Sequence, residues 1–364
     1  MNTILQVEHS VTELSWDFDL VKLKIEAAFG QKLQIEAKQS AGAAIECRIY
    51  AEDPLRNFAP SPGIIDTVKF SSDHKVRVDS YLRDGLEIPL FYDPMIAKLT
   101  VWGKNRNAAR LKMIEVLTNS CLSGIPNNLA FHDYILRSFD FGAGKIHTNY
   151  LNANWEQLSI ELGNERKRFL LLSAAVARMR LGWHSNHSDL GFRILDQEDD
   201  NGLEALKCAL IIDSGGHHLI ITDNDLDLRV ELVILDSQEQ GMLILHRSKP
   251  YFVSMEQNEK RFKCNIGPWN FDFEIYEIGS LPASSLGNAA KISDNVVISP
   301  INGKIIRVLG SLGQVVEEGQ VLIILEAMKM ENEIRAPISG EIELLVEEIG
   351  LSVEKGQILL RLKP

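Results

Sequence analysis

The chain has 364 residues, enough for two or three domains. Its formal net charge of −12 and isoelectric point near 5.3 argue against nucleic acid as a partner, because phosphate binding needs a basic patch. The four cysteines (Cys47, Cys121, Cys208, Cys264) are scattered, which points to reduced thiols in the cytoplasm, and neither a bilayer-length apolar run nor a signal peptide is visible.

Residues 1–13 pack polar groups densely into a run that reads as a strand. Residues 17–29 read as a helix, with Val21, Ile25, Ala28 and Phe29 on one face and Gly30 as a stop. Glu46-Cys47-Arg48-Ile49-Tyr50 alternates polar and apolar residues, as a half-buried strand does. Residues 106–121 read as a second helix, with Leu111, Ile114, Leu117 and Cys121 on one stripe. A third is expected at 169–181, with Leu170, Ala174, Ala177 and Leu181 facing one way. After Gly182 the texture changes to short strands, at 206–213, 219–222, 228–235, 242–247, 250–255, 261–266 and 270–278. That rhythm belongs to an antiparallel barrel or sandwich. His184 and His187 are close, and His217 and His218 are adjacent. Neighbouring strand residues point to opposite faces, so no metal site is expected there. Residues 280–290, rich in Ser, Ala, Gly and Pro, read as a flexible linker.

The C-terminal region holds an internal repeat. Residues 299–325 match 336–362 without a gap, at an offset of about 37 residues. Pro300-Ile301-Asn302-Gly303 answers Pro337-Ile338-Ser339-Gly340, Gly313 answers Gly350, and Val316 to Gln320 answers Val353 to Gln357. Each half reads as short strands punctuated by glycine turns, and two halves can close a small sandwich or flattened barrel. Between them lies Glu326-Ala327-Met328-Lys329-Met330. An amine on a tight turn between two rigid halves is suited to a tethered group that must travel.

Residues 295–364 resemble the biotin carboxyl carrier domain of biotin-dependent carboxylases, whose hallmark Ala-Met-Lys-Met stands unchanged at Ala327–Met330. The resemblance implies biotin joined by an amide to Lys329, framed by Met328 and Met330. Lipoyl domains share the fold but typically carry an acidic residue before the lysine. A second resemblance covers residues 1–151. Met1–Glu13 is similar to the biotin carboxylase motif Met-Asn-Thr-Arg-Leu-Gln-Val-Glu-His-Pro-Val-Thr-Glu, and Glu46 to Pro54, Ser61-Pro62-Gly63 and Tyr92 to Leu99 match its C-terminal domain in order. It implies Glu8 as the general base for bicarbonate, Gln6 and Val7 as positioning groups, and Arg48 as the cation that steadies the biotin enolate. Asn2 would lie near the metal and phosphates. The middle region resembles, by order and pattern alone, the linking domain of propionyl-CoA and methylcrotonyl-CoA carboxylase α subunits.

Two departures qualify this. The ATP-grasp half that the resemblance places before Met1 is not among these residues, so ATP and magnesium are expected only where that half is supplied. Ile4 stands where the family has a bicarbonate-clamping arginine, and Ser10 replaces a proline. The expected protein is multidomain α+β. Residues 1–154 form a truncated α+β biotin carboxylase C-terminal domain. Residues 155–290 form an antiparallel, barrel-like linking domain with a helix, followed by the linker. Residues 291–364 form an all-β flattened barrel carrying biotin. The implied partners are a biotin protein ligase and a carboxyltransferase β subunit, within a cytoplasmic oligomer that makes no membrane contact. Three readings follow: a carrier and docking fragment not expected to carboxylate biotin alone, a split-gene half completed in trans by a separate ATP-grasp chain, and a non-functional remnant with an exposed apolar face.

Overall fold

The computed structural model describes residues 4–33, 40–71, 73–181, 190–194, 208–212, 218–223, 228–238, 241–277, 296–299, 303–327, 330–346, 348–353 and 357–363. Two short helices, α1 (His9–Trp16) and α2 (Leu20–Ala28), precede β1 (Ala43–Tyr50). The opening polar run is therefore helical from His9, not a strand. The buried residues of α1 are Ser10 and Glu13, both polar, so apolar periodicity does not announce it. In α2, Asp19 caps the start by accepting from the Lys22 N–H at 2.8 Å. This helix buries none of its residues.

β1 pairs with β3 (Met95–Gly103), which also pairs with β2 (Val76–Ser80), giving a three-stranded antiparallel sheet with β3 at its centre. Strand alternation sorts the two faces. Cys47, Ile49, Leu99 and Val101 join a core with Ala109, Met113 and Leu117 of α3 (Arg106–Thr118). Glu46, Arg48, Lys98 and Thr100 lie on the opposite face, where Ser10 of α1 meets Glu46 and Thr100. Leu111 is 52% exposed, but Ile114 and Leu117 are buried as expected, and Ala109, Met113 and Val116 complete the buried stripe of α3.

After α4 (Leu129–Arg137), α5 (Tyr150–Arg180) runs for 31 residues and crosses the boundary expected between residues 154 and 155. Its first half packs Trp155 and Leu162 with Leu55, Phe58 and Phe131 of the N-terminal domain. From Phe169 to Arg178 every residue is buried. All-round burial follows from its surroundings: β4 (Leu190–Ile194), β5 (Cys208–Ile212), β6 (His218–Asp223), β7 (Leu228–Gln238), β8 (Gly241–His246), β9 (Lys249–Asn258), β10 (Arg261–Ile266) and β11 (Trp269–Glu277) follow one another in a closed antiparallel order. α5 touches β6, β7, β9, β10 and β11. The ring is joined unevenly. β4 pairs with β11 over five residues but with β5 only at Leu190 and Cys208. β4 has no counterpart among the expected strands. Residues 280–290, His184, His187 and His217 lie outside the described residues.

The C-terminal unit is not the flattened barrel expected from the sequence. Its strands are β12 (Val296–Ile298), β13 (Gly303–Val308), β14 (Val315–Val316), β15 (Val321–Ala327), β16 (Met330–Arg335), β17 (Gly340–Leu345), β18 (Ser352–Val353) and β19 (Ile358–Lys363). They form two separate four-stranded sheets, β12-β19-β17-β14 and β16-β15-β13-β18. No hydrogen-bonded ladder among the described residues joins one sheet to the other. The repeat explains this: its offset carries each strand of one sheet onto a strand of the other. Val297 pairs with Leu360 as Ile334 pairs with Ile323, and Val316 pairs with Gly340 as Gly303 pairs with Val353. Ile305, Leu325, Ile342 and Leu362 share the core between them. No helix among the described residues is long and apolar enough to cross a membrane.

Candidate functional site

Glu8 and Arg48, forty residues apart in sequence, meet at the mouth of the N-terminal sheet. Glu8 is the residue before the first turn of α1, and its side chain is 60% exposed. Arg48 rises from β1, and its Nη2 donates to Glu8 Oε1 while Nε reaches Glu46 Oε1 at 3.4 Å. The Glu8 carboxyl is held below the usual carboxylate range, first by its own backbone N–H and then by the Arg48 guanidinium. It is therefore an ionised, accessible carboxylate beside a fixed cation.

Behind this pair is a charged layer. Lys98 Nζ donates to the Val7 carbonyl at 2.8 Å and lies 3.4 Å from Asp79 and 4.0 Å from Glu46. Ser10 Oγ donates to Glu46 Oε2 at 2.5 Å and sits 2.9 Å from Thr100 Oγ1. Arg77 binds Asp79 at 2.9 Å and also Glu13. Lys98 thereby ties the backbone just before Glu8 to the sheet that carries Arg48. Sequence reasoning did not single out Lys98, Glu46 or Arg77. The available signal was a lysine inside the apolar run Met95–Gly103, where a buried cation needs partners.

The other expected positions are placed unevenly. Gln6 is exposed, and its carbonyl accepts from His9 Nδ1 at 2.7 Å. Ile4 is 66% exposed and offers no hydrogen-bond donor from its side chain. Asn2, Met328 and Lys329 lie outside the described residues. Ala327 ends β15, Met330 begins β16, and the two are paired, so Met328 and Lys329 are the whole connection between these strands. No group of three metal-ligating side chains occurs among the described residues.

Glu52 shares the Asn128 Nδ2 donor with the Arg48 carbonyl, and burial pushes its carboxyl up to about 7 against the opposing hydrogen bond from Asn128. The folded value exceeds the ordinary 4.5, so the folded chain binds the extra proton. The associated stability is full below the ordinary value and is lost as pH rises through about 7. Thermal denaturation should therefore show about 3 kcal/mol less stability for this domain at pH 8 than at pH 5, one carboxyl's worth of such a shift. Glu52→Gln keeps an acceptor without the titration, and should flatten that slope. An unchanged slope would remove Glu52 as its source.

Residues 46–153 match the biotin carboxylase C-terminal domain family, and residues 295–362 match the biotin-requiring enzyme (biotin/lipoyl) family. The chain is 41% identical to biotin carboxylase 1 of Bacillus subtilis over 153 residues, 42% of this chain and 34% of that protein. It is 29% identical to the α subunit of the mitochondrial methylcrotonoyl-CoA carboxylase of Arabidopsis thaliana over 381 aligned positions, 91% of this chain and 51% of that protein. With the chloroplastic biotin carboxylase of Arabidopsis thaliana it shares 37% over 161 residues, 44% of this chain and 30% of that protein. The chain thus spans between about a third and a half of the length of these curated relatives.

Proposed function

We propose that this chain, which matches the biotin carboxylase C-terminal domain over residues 46–153 and the biotin-requiring enzyme family over residues 295–362, is the carrier and docking portion of an acyl-CoA carboxylase α subunit of the biotin-dependent carboxylase family. Biotin is carried on Lys329, and the amide removes the lysine charge. Bound there, biotin supplies a ureido nitrogen that accepts and releases CO2. Glu8 takes the proton of bicarbonate, Arg48 steadies negative charge on the ureido oxygen, and Gln6 helps position the anion. ATP, magnesium and the phosphate-binding groups belong to an ATP-grasp half. A carboxyltransferase β subunit receives the CO2 and passes it to an acyl-CoA.

The observation that carries this reading is Lys329 itself. It lies in the two-residue connection of the paired strands β15 and β16, midway through the repeat, within the biotin/lipoyl match. The acyl-CoA assignment draws support from the methylcrotonoyl-CoA relative, whose match extends over 91% of the chain and not over the N-terminal part alone. The test is peptide mass spectrometry after expression with a biotin protein ligase. Biotin on Lys329 is expected. An unmodified Lys329 in a folded chain would overturn the reading in favour of a remnant or a lipoyl-like module.

One observation favours completion in trans. Ile4, Leu5, Trp16, Val21, Ile25, Phe29 and Leu33 are all exposed, with Phe29 at 81%. So much apolar surface within thirty residues marks an interaction face or an aggregation liability. An ATP-grasp polypeptide that forms a soluble complex with this chain would support that reading. Aggregation with and without it would favour the remnant.

A further inference from the structure

β1 is an edge strand: β3 is its one neighbour in the three-stranded sheet. An edge leaves backbone groups that no strand takes up. At Arg48 and Tyr50 a side chain takes them up instead. Asn128 Oδ1 accepts from the Tyr50 N–H at 2.9 Å, and Asn128 Nδ2 donates to the Arg48 carbonyl at 3.2 Å. A single carboxamide thus imitates the missing strand. Nδ2 also donates to Glu52 Oε1 at 3.0 Å, which fixes the sense of the amide. His132, one turn further along α4, places Nε2 at 2.8 Å from the same Arg48 carbonyl. A carbonyl only accepts, so His132 holds its proton on Nε2.

Two of these contacts, from Asn128 Nδ2 and His132 Nε2, converge on the carbonyl of one residue, Arg48, and Asn128 is only 3% exposed and Glu52 8%. The side chain of that residue is the one that reaches Glu8. A guanidinium at the end of a long stem repeats any shift of its own backbone, and catalytic geometry tolerates only a fraction of an ångström. We propose that Asn128, clamped by Glu52 and backed by His132, is a positioning residue that sets the reach of Arg48 toward Glu8, so that α4 supports the anion-handling end of the site. The functional part of this proposal rests on the reading of Glu8 and Arg48 given above.

The test is the titration of the Glu8 carboxyl in the intact chain, followed by carbon NMR. Arg48→Ala sets the full displacement that loss of the guanidinium produces. Asn128→Asp replaces the donor facing Arg48 and Glu52 with a second acceptor, and His132→Phe removes the other donor. Both should raise the Glu8 midpoint toward the Arg48→Ala value, whereas His132→Gln, which restores an amide donor, should return it toward the native one. A native Glu8 midpoint in folded Asn128→Asp and His132→Phe chains overturns the proposal. Should Asn128→Asp fail to fold, the His132 pair decides alone. Reconstituted activity separates the two ideas: an inert Arg48→Ala substitution would remove the catalytic reading and leave the titration result intact.

Discussion

A Lys329→Arg chain expressed with a biotin protein ligase is expected to take up no biotin, and any carboxylation that depends on this chain should vanish with it. The acceptor must offer a nitrogen lone pair to an activated carboxyl carbon. A lysine amine does so whenever it sheds its proton, while a guanidinium keeps its charge at any pH a protein survives. The substitution conserves charge and approximate length, so the loss would not be one of folding. The strands on either side are held by Leu325 and Ala327 of β15 and Ile334 of β16, which are buried in the C-terminal core and untouched by the change. Intact mass and streptavidin gel shift read the outcome. Residual biotin on the variant would place the acceptor on another lysine, such as Lys304 or Lys363, and would end the carrier reading as drawn here. Unchanged far-ultraviolet circular dichroism beside a complete loss of biotin is the result that separates chemistry from stability.

The legibility of this chain varies with how local the determining forces are. The two halves of the repeat were visible because each relies on its own turns. Gly313 and Gly350, at equivalent places, have φ of +78° and +93°, a conformation other residues rarely adopt. The sequence suggested a closed or sandwiched unit but not which. The choice depends on inter-strand pairing, which places equivalent strands in opposite sheets. Each strand from β5 to β11 is legible as an apolar run between turns. α1 was hidden because its inward residues, Ser10 and Glu13, satisfy a charged sheet face instead of an oily one. Leu111 misled for the opposite reason: an apolar residue faces out while Ala109 and Met113 fill the space against β1 and β3. Glu8 and Arg48 were legible through motif resemblance. Lys98, Asn128 and His132 were not, because their importance lies in which backbone carbonyl each one meets.

Arg48→Ala should separate a working site from packed remains of one. In a preparation completed with an ATP-grasp polypeptide, it is expected to lower bicarbonate-dependent carboxylation of biotin by about 10²–10³-fold, the usual consequence of removing a fixed donor aimed at developing negative charge. Arg48→Lys should recover little of that. One ammonium cannot span Glu8 and Glu46 as the planar guanidinium does. Stability should fall only modestly: the Glu8 contact is solvent-exposed and contributes little, and the buried Glu46 carboxylate keeps Ser10 and Lys98 as partners. The melting profile is therefore the internal control: a large fall in rate with a modestly shifted profile assigns Arg48 to chemistry, and no fall in rate dismisses it. Ile4→Arg tests the same site from the other side. If the site works in trans but lacks a bicarbonate clamp, restoring the guanidinium should raise the rate and lower the bicarbonate concentration needed for half of it. If Ile4→Arg does nothing while Arg48→Ala still abolishes turnover, the completing chain must bring its own anion clamp. If neither substitution matters, the N-terminal domain serves as packing for α5 and the strands around it, and the chemistry of this chain is confined to Lys329.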